Sequence, residues 1–569
     1  MGVEKRDCIV IGGGPAGSTF ATIVKKYAPE LKVTVLDRDR HPRYHIGEST
    51  IPVINGVFRD LELFDTLYDG RFVRKVGITF VWGRNRSPWN ADYLQIGDYC
   101  EDDRGVINVV GQDFSALMRT EMRRDFPLSA INVRRDRFDH LLLENARKFG
   151  AEVREGTKAT GVLRDENGAI TAVDWSDDQG SSGRIETPFV LDAAGMGGFV
   201  TRGQREYDPQ MANFAVAGYF SGADWKVLYR GSHEATTVFI ASVPMGWIWY
   251  IPIEDDLMSV GVVTHTAHFR DRLKSVDLLA FFWECVEACP EVAPLLKNAT
   301  LRDDVLPNGR RVAAHRDWSS WAREPVGPGY AAAGDAAIFV DPILASGVTL
   351  AMQSGHRAAY TFNTARHRPA DEAAQLWRAY ADYVRGEAGS FLTLARYAYG
   401  NDCASDSWWW QAQRLVNSGG QIALDEQQAF TMATAGFFPT PRAISLEIMA
   451  PFLRGLLGTE ADLYNVYHED GVGDDAALLA AELRVRTPFR LALRAEPDLK
   501  TGGRLELYHD LVADDFAFAH RHAAAPCKMA PALAPIVAAL PRYARVVELV
   551  DAAPTLLPLG FAAEDDIRR

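Results

Sequence analysis

Apolar and polar positions follow two different rhythms along this chain. Asp7 to Ile11 is a short apolar run, as in a strand covered on both faces, and Ala16 to Lys26 repeats apolar residues at helical spacing. Lys32 to Leu36 predicts the next strand. Two more apolar strands follow, Phe189 to Ala194 with an Asp-x-x-Gly ending at Gly195, and Tyr330 to Ala333 running into Gly334-Asp335. Strands alternating with helices predict an α/β fold. From about Arg366 the glycine-rich pattern stops. Ala370 to Gly400 and Ser445 to Leu457 predict helices with apolar residues three and four apart, and Gly502 to Ala513 a strand. The expected organisation is a core over residues 1–365 and a mostly helical extension over 366–569, capping whatever site the core carries.

The first strand–helix junction carries the first chemistry. Gly12, Gly14 and Gly17, with Ala16 between, supply the tight turn, the close backbone approach and the helix–strand packing of a pyrophosphate site. Asp37 ends the second strand 20 residues after Gly17, where a carboxylate would accept hydrogen bonds from a ribose. The glycine spacing alone is weak evidence; in a strand–turn–helix–strand–acid context it is strong. A second fingerprint is missing. Gly471 to Ala476 has the spacing, but Tyr464 to Asp470 before it is no buried strand, so it reads as a loop.

Composition narrows the classes. The chain has 569 residues, 47% hydrophobic and 24% charged, with 61 basic against 75 acidic residues and a net charge of -14. That balance argues against a nucleic-acid footprint. Six scattered cysteines imply no disulfide framework, and Cys285 and Cys289 read as buried thiols rather than metal ligands. No signal-peptide pattern precedes Cys8, and no apolar run reaches the length of a membrane span, so a cytoplasmic protein without membrane contact is expected.

Other segments give the chain a resemblance to the flavin-dependent halogenases, within the FAD-dependent hydroxylase superfamily. Gly334-Asp335 resembles that superfamily's ribityl-binding pair, which implies FAD. Trp247-x-Trp249-x-Ile251-Pro252 is similar to the halogenase signature, whose bulky side chains stop a substrate collecting oxygen directly from the flavin. An amphipathic strand in a sheet core would explain an isolated Trp-x-Trp equally well. Lys75, before Val76 to Gly83, matches a lysine placed between flavin and substrate; its ammonium can hydrogen-bond hypohalous acid, or its free amine can form a haloamine, and burial favours the amine route. Arg74 is its nearest competitor. Ser346 and Gly347, in the loop with Pro342, match the pair whose amides bind halide. Gly47, Glu48 and Ser49 after Arg43 match flavin contacts, as does Arg135, and Asp317-Trp318-Ser319 resembles another flavin-side segment.

The resemblance therefore implies a Rossmann-like three-layer FAD domain with an inserted substrate sheet. It also implies FADH2 from a separate flavin reductase, and chloride or bromide as co-substrate. The product would be hypohalous acid, delivered by Lys75 to an electron-rich carbon of a natural-product precursor. One departure matters. Tryptophan halogenases carry a glutamate two residues before the small residue of the halide pair, and here that position is Leu344. This points to phenols, pyrroles or acyl groups, free or carrier-tethered, rather than free tryptophan. The rivals are an FAD-dependent hydroxylase and a non-catalytic flavin-binding partner protein. Trp408-Trp409-Trp410 cannot all face one core, and at least one is expected at a surface or cleft.

Overall fold

The computed structural model describes residues 4–82, 86, 88–93, 129–229, 231, 233–400 and 426–436, and short stretches beyond, namely 457–458, 484–485, 489–498, 501–513, 527–529, 538–545, 548–549 and 552. The expected helix from Ser445 (apart from Leu457), the loop Gly471–Ala476 and Trp408, Trp409 and Trp410 lie outside the described residues.

A six-stranded sheet is built around Cys8–Ile11, all four residues of which are buried. It pairs in parallel with Val33–Asp37 on one side and Val190–Asp192 on the other, and Tyr330–Ala332 and Glu152–Glu155 extend the sheet. The helix Pro15–Tyr27 leaves the first strand with a proline in its first turn and no side-chain cap, so its first amides have no side-chain acceptor. A Cβ at Gly17 would stand 1.9 Å from the carbonyl oxygen of Gly12, which is why only glycine fits where helix meets turn.

The inserted segment forms a ten-stranded sheet. Across it run Val312–Ala322, Arg205–Ser221, Leu257–His265, Gly246–Glu254, Ala235–Val243 and Val73–Val81, each hydrogen-bonded to the next. Its pleat sorts the tryptophan strand as a period of two requires. Trp247, Trp249 and Ile251 enter one core, while Ile248 and Tyr250 enter the other, against Phe281, Phe282 and Cys285 of the helix Leu278–Glu287.

The helix Ala370–Gly400 is a strut between cores. Leu376, Tyr380 and Val384 pack with the nucleotide-binding half, and Phe391, Leu394 and Ala395 with the tryptophan face of the large sheet. Glu426–Thr434 adds Ala429, Phe430 and Ala433 to that second core. The strand expected at Gly502–Ala513 is present as Arg504–Ala513, between Phe489–Asp498 and Cys527–Met529 in an antiparallel sheet. Among the described residues, no helix is long and apolar enough to cross a membrane.

Candidate functional site

A cleft of about 920 Å3 opens where the two sheets meet. Gly12, Gly14 and Ala16 form one end of its wall, with Asp37 and Arg43 beside them. Asp37 holds the turn itself. Its Oδ2 accepts the amide of Gly13 at 2.7 Å and its Oδ1 that of Asp39 at 2.9 Å. Burial alone would raise its pKa, but hydrogen bonds from His41 and these amides hold it below the usual carboxylate range. A carboxylate oxygen can accept more than one donor, so ribose contact remains open to it. A Cβ on Gly14 would meet only Arg43 Nη2, at 3.6 Å. Arg43 Nε and Nη1 are buried and make no hydrogen bond. The guanidinium has Asp139 Oδ2 at 3.4 Å from Nη1 and Asp39 Oδ2 at 3.7 Å from Nε, and beside an uncapped helix N-terminus it fits the diphosphate of a dinucleotide.

The opposite wall comes from Gly47, Glu48, Ser49, Gly334, Asp335 and Pro342. Arg135 also lines the cleft, but its guanidinium is spent on the protein. Nε and Nη2 grip both oxygens of Asp139, at 2.7 and 2.9 Å, and Nη1 donates to the carbonyls of Ile46 and Gly47, at 2.6 and 3.1 Å. It anchors the Gly47–Ser49 segment, and Gly47 takes a φ of 96° there. Burial pushes Asp335 up to about 6 against the pull of Arg135 and Arg205. Asp317 lines the cleft as well, raised by burial and by the charges of Asp341 and Asp335.

Trp247, Trp249 and Ile251 close the cleft toward the large sheet. The indole centroids lie 6.1 Å apart, tilted by 56°. Trp249 lies over Gly261 on the neighbouring strand, where a Cβ would sit 2.0 Å from its ring; its Nε1 donates to Ser259 Oγ at 3.1 Å. Trp247 Nε1 donates to the hydroxyl of Tyr399, which donates in turn to the carboxyl of Asp341. Asn213 Nδ2 donates to the same carboxyl at 2.8 Å. Pro252 contributes its carbonyl, which accepts from Asn132 Nδ2 at 3.0 Å. Trp247 and Trp249 are thus at once part of the sheet core and part of the cleft wall.

Lys75 is fully buried. Its strand bulges at this point, since Thr236 pairs with Lys75 but Thr237 with Gly77, leaving Val76 extra. Nζ donates to the carbonyl of Thr50 at 2.9 Å and sits 5.6 Å from the ring centre of Tyr93. Among the described residues no carboxylate stands beside it, and burial lowers its pKa to about 7. The competitor Arg74 is exposed and bonds Ser129 Oγ at 3.1 Å. Lys75 does not itself line the cleft; Ser49 does, and Thr50 stands between.

Ser346 precedes the helix Gly347–Ala365, and Ala345 before it adopts a φ of 55°. Ser346 is fully buried and its hydroxyl makes no hydrogen bond. Gly347 faces the cleft, and a Cβ there would meet nothing within 4 Å. Leu344 is buried in the apolar core. Sequence reasoning missed Tyr44, Tyr219, Ser259, His315 and Tyr399, whose importance comes from cross-strand and helix–sheet placement rather than from any local motif.

The family profile described as tryptophan halogenase matches residues 7–104 and 117–439. The chain is 30% identical over 435 residues to a tryptophan 2-halogenase of Chondromyces crocatus, covering 75% of this chain and 73% of that one. It is 30% identical to a 1H-pyrrole-2-carbonyl-[peptidyl-carrier protein] chlorinase of Pseudomonas fluorescens, covering 62% and 74%. The solved structure of the myxobacterial chondrochloren halogenase CndH, an FAD-dependent halogenase, matches with a TM-score of 0.60 and 27% identity, over 76% of this chain and 99% of that one.

Proposed function

This chain belongs to the tryptophan halogenase family and is an FAD-dependent halogenase; from that premise we propose that hypohalous acid made at the flavin passes to Lys75 and on to an electron-rich carbon of a natural-product precursor. Gly12, Gly14, Asp37 and Arg43 would hold the diphosphate and ribose of FAD, and Gly47, Ser49, Asp335 and Pro342 its flavin half. Bound FADH2, supplied by a separate reductase, provides the electrons that turn O2 and halide into hypohalous acid. The amides at Ser346 and Gly347 hold chloride or bromide, since exposed amides at a helix start attract an anion. Trp247 and Trp249 keep the substrate off the flavin and exclude water from its chamber. Lys75 then orients or captures the oxidant. The single observation that carries this reading is the Lys75 amine, wholly buried beyond the cleft wall and lowered to about 7, so that a neutral nucleophilic amine is available near neutral pH.

Leu344 supports a phenol, pyrrole or acyl substrate over free tryptophan, and the carrier-bound pyrrole in the name of the Pseudomonas relative points the same way. The tryptophan 2-halogenase relative keeps an indole in contention. The C-terminal elements from Ala370 onward cap the substrate side, with Tyr93 donating to the carbonyl of Thr434 at 3.0 Å just beyond Lys75. A cytoplasmic setting agrees with the need for a diffusing reduced flavin.

The experiment supplies FADH2, O2 and chloride or bromide to phenols, pyrroles, indoles and carrier-bound acyl groups, and reads product mass. The isotope doublet of the halogen identifies reaction and halide together. Lys75→Ala should abolish halogenation while oxidation of bound FADH2 continues. A Lys75→Ala enzyme that transfers halogen at the normal rate would remove Lys75 from the mechanism, and an oxygenated product without halogen would favour the hydroxylase reading.

A further inference from the structure

The large sheet presents a fork of two donors to one buried carboxyl. Tyr219 and Ser259 sit directly opposite each other on adjacent antiparallel strands. The Tyr219 hydroxyl donates to Glu48 Oε1 at 2.5 Å, and Ser259 Oγ donates to Oε2 at 2.6 Å. Glu48 is 5% exposed and its side chain belongs to the cleft wall, beside Trp249, whose indole N–H bonds the same Ser259. Polar side chains then continue away from it. Tyr219 Oη lies 3.3 Å from Tyr44 Oη, and Tyr44 Oη lies 3.2 Å from His315 Nε2. His315 is half-buried and lines the cleft, so this row of exchangeable groups leads from a partly wetted imidazole to an enclosed carboxyl.

We propose that Glu48 is the proton donor of the flavin chamber, reloaded through Tyr219, Tyr44 and His315. The proposal rests on the halogenase reading above. That reaction consumes a proton: reduced FAD, O2, halide, one proton and R–H give FAD, R–X and two waters. O2 takes four electrons, two from reduced FAD and two from joining halide to carbon at the expense of the C–H bond. The oxygen that leaves as water would need its proton inside a chamber built to exclude water. Glu48 gives its carboxyl proton to that oxygen, takes the Tyr219 hydroxyl proton in exchange, and Tyr44 and His315 restore it.

The surroundings suit a carboxyl that holds a proton near neutral pH. Burial raises Glu48 to about 7, and Asp136 pushes the same way; Tyr219, Ser259 and the Arg135 guanidinium oppose them. From the remaining packed elements the facing groups are Tyr44 and the Trp249 indole, both uncharged. Burial also lowers His315, which favours its neutral imidazole, a ring that can pass a proton through its two nitrogens.

Glu48→Gln keeps the shape and one acceptor but carries no acidic proton. It should bind FAD, by flavin fluorescence, with a Kd within about threefold of the parent, under ~1 kcal/mol. In infrared difference spectra of the FAD-free protein, the parent should show a protonated-carboxyl band that titrates away near pH 7, and the variant should lack it. Halogenation by the variant should fall about a hundredfold, the usual weight of a positioned acid. Tyr219→Phe should retain the band and FAD but slow steady turnover with an enlarged solvent isotope effect. Glu48→Gln working at the parental rate, or a parent without that band at pH 6, overturns the relay and leaves the halogenase reading standing. A parent that binds no FAD brings down both.

Discussion

Lys75 is costly to bury as a charged group. Buried as an ammonium it loses its hydration, and among the described residues it gains one carbonyl acceptor, that of Thr50, and no counter-charge. Its folded pKa, about 7, lies below the ordinary lysine value of 10.5. Between those values the unfolded chain binds more protons, so stability rises with pH across that window. Below pH 7 both states carry the proton and the full penalty applies. Lys75→Met should therefore raise stability by about 2–4 kcal/mol at pH 7, with the gain shrinking toward pH 10. Urea melts of parent and variant across that range check it, and a variant less stable than the parent at pH 7 contradicts it. The same variant should halogenate nothing, which separates a functional group from a structural one. Lys75 was legible because motif and strand position coincide. Glu48 was legible as a flavin-side residue only; Tyr219 and Ser259 are 171 and 211 residues away and meet it through strand register, which a linear pattern does not encode.

At the scale of the strand, the two-residue pleat does what the sequence implied and adds a constraint. Trp249 faces the cleft because its neighbour across the sheet is Gly261, whose missing side chain leaves room for the indole to lie flat. That pairing was invisible beforehand, since Gly261 sits in an apolar run, Leu257–His265, that any buried strand would share. Gly261→Ala would place a Cβ 2.0 Å from the Trp249 ring. The indole must move, and overpacking of this kind costs about 1–3 kcal/mol. The displaced ring also breaks the bond to Ser259, which shares Glu48. We expect Gly261→Ala to melt earlier, to shift tryptophan emission, and to oxidise FADH2 with less halogenated product per turnover. Unchanged emission and coupling would mean that the wall does not depend on this glycine. The bulge at Val76 belongs to the same class of hidden feature: the sequence reading set Lys75 just before a strand, whereas the strand runs from Val73 to Val81 and an extra residue interrupts its pairing beside Lys75.

Across the whole molecule, the helix Ala370–Gly400 decides whether the two cores act as one. At 1.5 Å per residue it is about 46 Å long, enough to cross both. Tyr380 donates to the carbonyl of Ala332 at 2.7 Å in the nucleotide half, and Tyr399 reaches Asp341 and Trp247 in the other. Its helical period was plain in the sequence. What it covers was not, because an apolar stripe names no partner, and the cores it joins draw on interleaved stretches of the chain. Phe391, 1% exposed, packs between the strut and the large sheet, far from the glycine turn. Phe391→Ala should cost about 3–5 kcal/mol. If the strut makes the cores cooperative, flavin release and tryptophan emission will report one shared midpoint, lowered equally for both probes. Tryptophan emission that shifts early while FAD stays bound to the parental temperature would show two independent cores. In that case the Asp341–Tyr399–Trp247 link would stabilise the wall only locally, because the loop around Asp341 would hold its shape after the sheet had opened.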